Sequence, residues 1–362
     1  MHVPDGFINA PVSVAAGVVA AGAVAVSLRG ARRELGGTSQ AEGFGGERAA
    51  PLAGLVAAFI FAVQMLNFPV AAGTSGHLLG GALAAILVGP YTGVLCVSVV
   101  LLMQGVLFAD GGLTALGVNV VNMAVVTVVV AYAIFRGLLK LLPDTRRSVT
   151  AAAFAGALFS VPGAAVMFSL FYALGGTTDV PFDKVFGAMV GVHVLIGIGE
   201  AAITAATVGA VLAVRPDLVH GARGLAAPLK LRVGGVLVDA PAAAPAPVAV
   251  AARSPRKLWA AGLVTALVLA GFVSFYASSS PDGLEKVAAD KGIDQKVTEH
   301  AAAGSPLADY SVKDVGDARL SGGLAGVIGV GATVVVGTGI FWTVRRRRAE
   351  DLTAASTASS AV

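Results

Sequence analysis

The chain opens Met1-His2-Val3-Pro4-Asp5-Gly6-Phe7-Ile8-Asn9-Ala10, and an apolar run, about Pro11 to Leu28, follows at once. His2 brings three nitrogens within chelating reach of one another: the α-amine of Met1, the backbone amide of His2 and its imidazole Nδ1. With the amide deprotonated, these close two small rings around one divalent ion. Planar nitrogen coordination of this kind suits Ni(II), Cu(II) or Co(II). Pro4 has no N–H and fixes its own φ, so the chain turns away just after the chelate. Asp5-Gly6 is a turn dipeptide. A lone histidine near an N-terminus usually has no role, so the metal reading gains weight only from the rest of the chain.

That remainder is a membrane protein. Of 362 residues, 56% are hydrophobic and 13% charged, and the mean hydropathy is +0.83. A soluble domain carries about a quarter charged residues. The expected fold class is therefore all-α and polytopic, because only helices or closed barrels satisfy the backbone in lipid. The 47 glycines fit closely packed helices. A net charge of +4 comes from basic residues flanking apolar spans, and no nucleic-acid surface is implied. The single cysteine, Cys96, excludes an intrachain disulfide and a thiolate zinc cluster, and reads as a small core residue. The N-terminus lacks the basic region of a cleavable signal, so none is expected.

Seven spans are expected in residues 1–215: about Pro11 to Leu28, Leu52 to Leu66, Leu78 to Val88, Tyr91 to Phe108, Leu113 to Phe135, Val149 to Leu174 and Val185 to Val214. Basic clusters at Arg29, Arg32 and Arg33, at Arg136, Lys140, Arg146 and Arg147, and at Arg215 then all fall inside, with the N-terminus outside. The stretch at 34–50 reads as a flexible Gly-rich linker. Between the second and third spans, Val70-Ala71-Ala72-Gly73-Thr74-Ser75-Gly76-His77 is a polar interruption at membrane depth. Such backbone is tolerated where protein buries it or where it lines a cavity.

Residues 216–257 read as a Pro/Ala-rich cytoplasmic linker. A second unit, 258–344, has two spans, about Leu258 to Tyr276 and Ser321 to Trp342. Between them lies an outer loop containing Ser280-Pro281-Asp282-Gly283-Leu284-Glu285. Residues 345–362 read as a basic anchor and a disordered tail.

His77 lies on the same expected side as the N-terminus, where imidazole is available either as a ligand or as a simple helix cap. His193 and Glu200 lie seven residues apart on one helix face, and a structural or coupling role is the stronger reading. Asn67, Gln104, Asn119 and Asn122 read mainly as ties across helices. Thr74 and Ser75 are candidates to support the ligand loop. His220 and His300 read as surface residues. No phosphate loop, HExxH or nucleophile elbow is visible, so the chain is not expected to be an enzyme or to hydrolyse ATP itself.

These residues carry a resemblance. MHVPDGF at Met1 to Phe7, QMLNFPVAAGTSGHLLGG at Gln64 to Gly81, FADGGLTALGVNVVN at Phe108 to Asn122 and HVLIGIGEA at His193 to Ala201 resemble the CbiM/NikM substrate-capture components of energy-coupling-factor transporters for cobalt and nickel. The unit around Pro281 to Glu285 resembles the PDGLE accessory domain, similar in role to CbiN/NikN and fused to the same chain. The resemblance implies a seven-helix bundle with a re-entrant N-terminus. It implies metal ligands Met1, His2 and His77, with Ni(II) or Co(II) as transported substrate and no resident cofactor. The implied partners are a membrane coupling component and two cytoplasmic ATPase subunits. Two rivals from other classes are a self-sufficient secondary metal transporter and a membrane metal-binding sensor or scaffold.

Overall fold

The structure is a computed structural model that describes residues 1–35, 49–71, 73–225, 230–233, 236–239 and 256–359. The Gly-rich stretch expected as a linker falls mostly outside these residues, as does most of the Pro/Ala-rich segment.

The first unit is a bundle of α1 (Ala10–Leu35), α2 (Ala49–Gln64), α3 (Gly81–Val88), α4 (Pro90–Leu107), α5 (Leu116–Asn119), α6 (Thr127–Leu139), α7 (Arg146–Gly175) and α8 (Phe182–Val214). A π-helical turn over Val120–Val126 joins α5 to α6 into one continuous span. The second unit contributes α9 (Arg256–Gly271), α10 (Gly283–Lys291) and α11 (Ala318–Ser359). Among the described residues, seven helices are long and apolar enough to cross a membrane: five in the first unit and two in the second.

The seven spans expected in the first unit are therefore not equal. The 16 residues of α2 reach about 24 Å and the 8 residues of α3 about 12 Å, against a hydrocarbon core of about 30 Å. Extended backbone takes up what α3 leaves. The interruption before it is a β-hairpin, which modifies the all-α expectation: β1 (Phe68–Ala71) pairs antiparallel with β2 (Thr74–Gly76), with Phe68 opposite Gly76 and Pro69 opposite Ser75. A second hairpin, β3 (Lys230–Val233) with β4 (Val236–Asp239), lies within the stretch read as a linker. Gly234-Gly235 between two apolar runs was its signal in the sequence. At the far end, α11 continues to Ser359, where disorder was expected from Ala349. The run Ala349-Glu350-Asp351-Leu352-Thr353-Ala354-Ala355 contains no glycine or proline to stop it.

Two carboxylates start the paired helices α3 and α4. Glu200 of α8 accepts from the N–H groups of Leu79 and Gly80, at 2.7 and 3.1 Å. Glu34 accepts from Tyr91 N and Thr92 N, at 3.2 and 2.7 Å. Glu34 thus satisfies donors that the first turn of α4 cannot pair internally, and Glu200 holds the backbone just before α3.

The second unit packs onto α2, so that a helix apolar all round is buried nearly all round. A Cβ on Gly54 would stand 2.3 Å from Thr338 Oγ1, and one on Gly329 would stand 2.2 Å from Phe61 Cζ. Such close approach of backbones supplies packing where lipid removes the hydrophobic drive. Helices α7 and α8 meet in the same way, since a Cβ at Gly197 would lie 2.7 Å from Leu158 O. Gly197→Leu should therefore lower the thermal midpoint in detergent, at a cost of about 1–3 kcal/mol. Gly187→Leu, on the same helix with open space around it, should leave the midpoint unchanged. Equal midpoints for the two variants would contradict the packing.

Candidate metal-capture site

The N-terminal segment does not lie on the surface. Met1 and Val3 are buried, and the extended backbone is paired at several points from Val3 onward. Asn119 takes Val3 in both directions: its Oδ1 accepts from Val3 N at 2.8 Å and its Nδ2 donates to Val3 O at 3.1 Å. Gly112 N donates to Val3 O at 2.9 Å. The Asp5 carboxylate accepts from Leu113 N and Thr114 N. Thr177 donates through its Oγ1 to Gly6 O at 2.7 Å and through its N to Phe7 O at 3.2 Å. Asn9 N donates to Gly175 O at 2.7 Å, just before α1 begins. Gly6 has φ +90°, and a Cβ there would lie 2.1 Å from Lys296 O of the second unit. Only glycine fits that turn.

This path ends with the Met1 amino group 2.9 Å from His77 Nε2. His77 Nδ1 lies 3.0 Å from Leu78 O. A carbonyl can only accept, so Nδ1 carries the hydrogen and Nε2 presents its lone pair to Met1. The turn after His77 is held in turn by Glu200. The His2 ring stacks on His77, with centroids 5.1 Å apart and planes 18° from parallel.

Both ring nitrogens of His2 face oxygens: Nε2 lies 3.1 Å from Gln104 Oε1 and Nδ1 lies 3.3 Å from Asp110 Oδ1. Only an imidazolium would donate to both. Burial nevertheless pulls the His2 pKa down to about 4, with the Met1 ammonium adding to it, and Asp110 offsets only part of the fall. Near neutral pH one nitrogen therefore faces an oxygen with no proton between them. Asp110 is fixed by Tyr310 of the second unit, whose hydroxyl donates to its Oδ2 at 2.6 Å. Burial, and Asp110 after it, hold that phenol well above its ordinary pKa.

The second unit also supplies a carboxylate to the centre. Asp282 forms an ion pair with the Met1 amino group, and its Oδ2 lies 3.5 Å from His77 Nε2. Burial alone would raise the Asp282 pKa. The Met1 ammonium and His77 outweigh it and hold the carboxyl well below the usual range. A cavity of about 670 Å³ adjoins the centre and is lined by His2, His77, Asp110, Asp282, Gln64 and Asn67, among others from both units.

The sequence model of the cobalt uptake substrate-specific transmembrane region, CbiM, matches residues 2–218, well over half of the chain. The chain belongs to the CbiM family. The PDGLE domain model matches residues 256–346. A fused nickel transport protein, NikMN, of Rhodobacter capsulatus is 33% identical over 362 residues, spanning 94% of this chain and 96% of that one. A putative metal transport protein of Haloquadratum walsbyi is 40% identical over 60% of this chain and 93% of its own. A putative fused nickel transport protein NikMN of Archaeoglobus fulgidus is 36% identical over 61% of this chain and 68% of its own. This CbiM-family chain is thus a multi-pass membrane component of cobalt/nickel uptake and a transport protein rather than an enzyme.

Within the CbiM unit, Met1, His2 and His77 come together. Of the supporting candidates, Gln104 meets His2, Asn119 clamps Val3 and Glu200 holds the turn after His77. Ser75 faces the second unit instead of the ligand turn: its N and Oγ donate to Pro281 O and Ser280 O, at 2.9 and 2.7 Å. Asn67 meets the second unit through its backbone carbonyl, which accepts from Ser278 N at 2.7 Å. Thr74 is buried in β2. Neither amide atom of Asn122 has a partner among the described residues, so no tie across helices is seen there. His193 is buried, donates through Nδ1 to Met189 O at 2.7 Å, and lies beneath Gly283, whose Cβ would sit 3.1 Å from its Cε1. His300, read as a surface residue, reaches Gly111 O at 3.2 Å. Asp110, Asp282 and Tyr310 were missed as site residues. The PDGLE motif itself was the available signal for Asp282.

In the pH window from 6.5 down to about 4, a displaced His2 binds a proton that the seated one refuses. The seated N-terminus is accordingly most secure above pH 6.5 and loosens as the pH falls toward 4. Asp282 stays charged through this window. Protection factors for amide exchange at residues 3–9, taken against the intrinsic rate at each pH, should fall across this window, and a flat protection profile would count against the burial of His2.

Proposed function

We propose that this chain is the substrate-capture component of an ATP-driven energy-coupling-factor importer. In this reading it takes Ni(II) or Co(II) from the outer side and passes the ion inward. The observation that carries it is the buried Met1 amino group 2.9 Å from the Nε2 lone pair of His77, with the His2 ring stacked on the same imidazole. The ligands would be the Met1 amine, the His2 amide and imidazole, and His77.

Four nitrogens of this kind form a strong-field, near-planar set. Hard Mg(II) and Ca(II) prefer oxygen, and Mg(II) holds to octahedral geometry, so such a set discriminates against both. Glu200 and the Leu78 carbonyl orient the His77 turn and fix its tautomer, as groups behind a metal ligand commonly do. Partner subunits, a membrane coupling component and two cytoplasmic ATPases, would supply the energy. The basic clusters at Arg32–Arg33 and Arg136–Arg147 support an outer N-terminus under the positive-inside rule.

Titration of the purified full-length chain with Ni(II) and Co(II) should show one tight site. Adding a single residue before Met1 should weaken binding at least a hundredfold, because it removes the amine and lengthens a segment with no room to spare. His77→Ala should weaken it comparably. Unaltered affinity in the extended chain would exclude the chelate. Binding should also weaken in acid, since the ligand nitrogens must be free of protons. Vesicles holding this chain alone should not accumulate metal, whereas vesicles with the coupling and ATPase subunits should do so on addition of ATP.

A further inference from the structure

The residue that meets the Met1 amino group from the second unit belongs to neither the chelate nor the bundle. We propose that Asp282 is a positioning residue for capture: it reaches across from the PDGLE unit and seats the Met1 amino group beside His77 before a cation arrives. This inference rests on the chelate reading above and assigns the second unit a specific task within it.

Three observations converge. The first is the need for a counter-charge. The Met1 amino group lies in a buried contact, on a residue only 2% exposed, and a buried charge without a partner is strongly destabilising. Its ion-pair partner among the described residues is Asp282.

The second is the rigidity of Asp282. Its Oδ1 caps α10 by accepting from Glu285 N at 2.9 Å, while Glu285 Oε2 accepts from Asp282 N at 3.0 Å. The capping box uses one oxygen and fixes the side chain, so that the other, Oδ2, points at Met1.

The third is how the motif is docked. Ser75 holds Ser280 and Pro281 from β2, two residues before His77. Gly283 lies flat on Ile196 and His193 of α8, where a Cβ would come within 2.8 Å of Ile196 Cδ1. Lys296 O closes over Gly6, and Thr298 N donates to Asp5 O at 3.1 Å. The second unit therefore grips the N-terminal segment at residue 1 and again at residues 5 and 6. A bare amino terminus is ordinarily the least ordered part of a chain, and here it is fixed at both ends of the turn.

The test exploits Asp282→Asn. Asparagine keeps the cap, because its Oδ1 also accepts from Glu285 N, and removes only the charge. In the metal-free full-length protein, the Met1 amine should be acylated by an amine reagent about tenfold faster in Asp282→Asn than in the parent, read by mass spectrometry of the N-terminal peptide. Co(II) should load correspondingly more slowly in stopped flow, while the visible spectrum of the loaded protein stays the same, since Asp282 is not a ligand. Glu285→Gln weakens the capping box and leaves the Asp282 charge, so its labelling rate should stay near that of the parent. Equal labelling of Asp282→Asn and the parent would overturn the inference, as would equal acceleration by Glu285→Gln, which would assign the effect to the helix cap. A changed spectrum would overturn it too, by making Asp282 a ligand. Failure of the parent to bind either ion would sink the capture reading and this inference with it. Normal binding with unaltered labelling would sink this inference alone.

Discussion

An extended segment inside a membrane bundle must have every backbone polar group paired by protein, because lipid offers nothing in exchange. Within residues 3–9 many of these groups are paired, through Asn119, Gly112, Thr177 and Gly175 from the first unit and Thr298 from the second. The rest of the site follows from this. A segment so held delivers its terminal amine to a fixed point, and a fixed point is what a ligand requires. The short α3 belongs to the same arrangement. Its missing turns are replaced by the β-hairpin and the turn at His77, which Glu200 anchors from a neighbouring helix. The bundle gives up a regular span at the place where it needs an irregular one.

The two units share this centre. The first brings the amine and two imidazoles, and the second brings Asp282 and, through Tyr310, the orientation of Asp110. Their contact is a tight one along α2, made by glycines such as Gly54 and Gly329 against partners from the other unit. It continues at the site end of the bundle through Ser75 and Gly6.

Much of this was legible in the sequence. Hydropathy located the helices, since a run of about twenty apolar residues has few other fates. The opening Met1-His2 suggests the proposed chelate by the covalent spacing of its nitrogens, and chemistry at that scale does not depend on the fold. The hairpin at Phe68–Gly76 was read only as an irregular stretch, because Pro69 and three small residues hide its alternation. The partners of individual polar groups were not legible at all. That Asn119 would clamp Val3, that Ser75 would hold Pro281, or that Asn122 would have no partner among the described residues depends on helix rotation, which hydropathy does not resolve. Asp282 stood in plain view in its motif. Its place on the Met1 amine, 281 residues away, is a matter of tertiary structure alone.

The burial of α2 also shapes how the protein can be surrounded. With α9 and α11 lying along it, this helix shows almost none of its surface to lipid or to a third protein. Helix α1 is the contrast: Val14, Val18, Val19 and Val26 are all more than half exposed. Within the plane of the bilayer the second unit thus encloses α2 and turns the outer faces of its own α9 and α11 to lipid, where Val264 and Val335 are more than half exposed. A neighbour that packs beside the molecule cannot reach α2, and on that edge it meets α9 and α11 in its place.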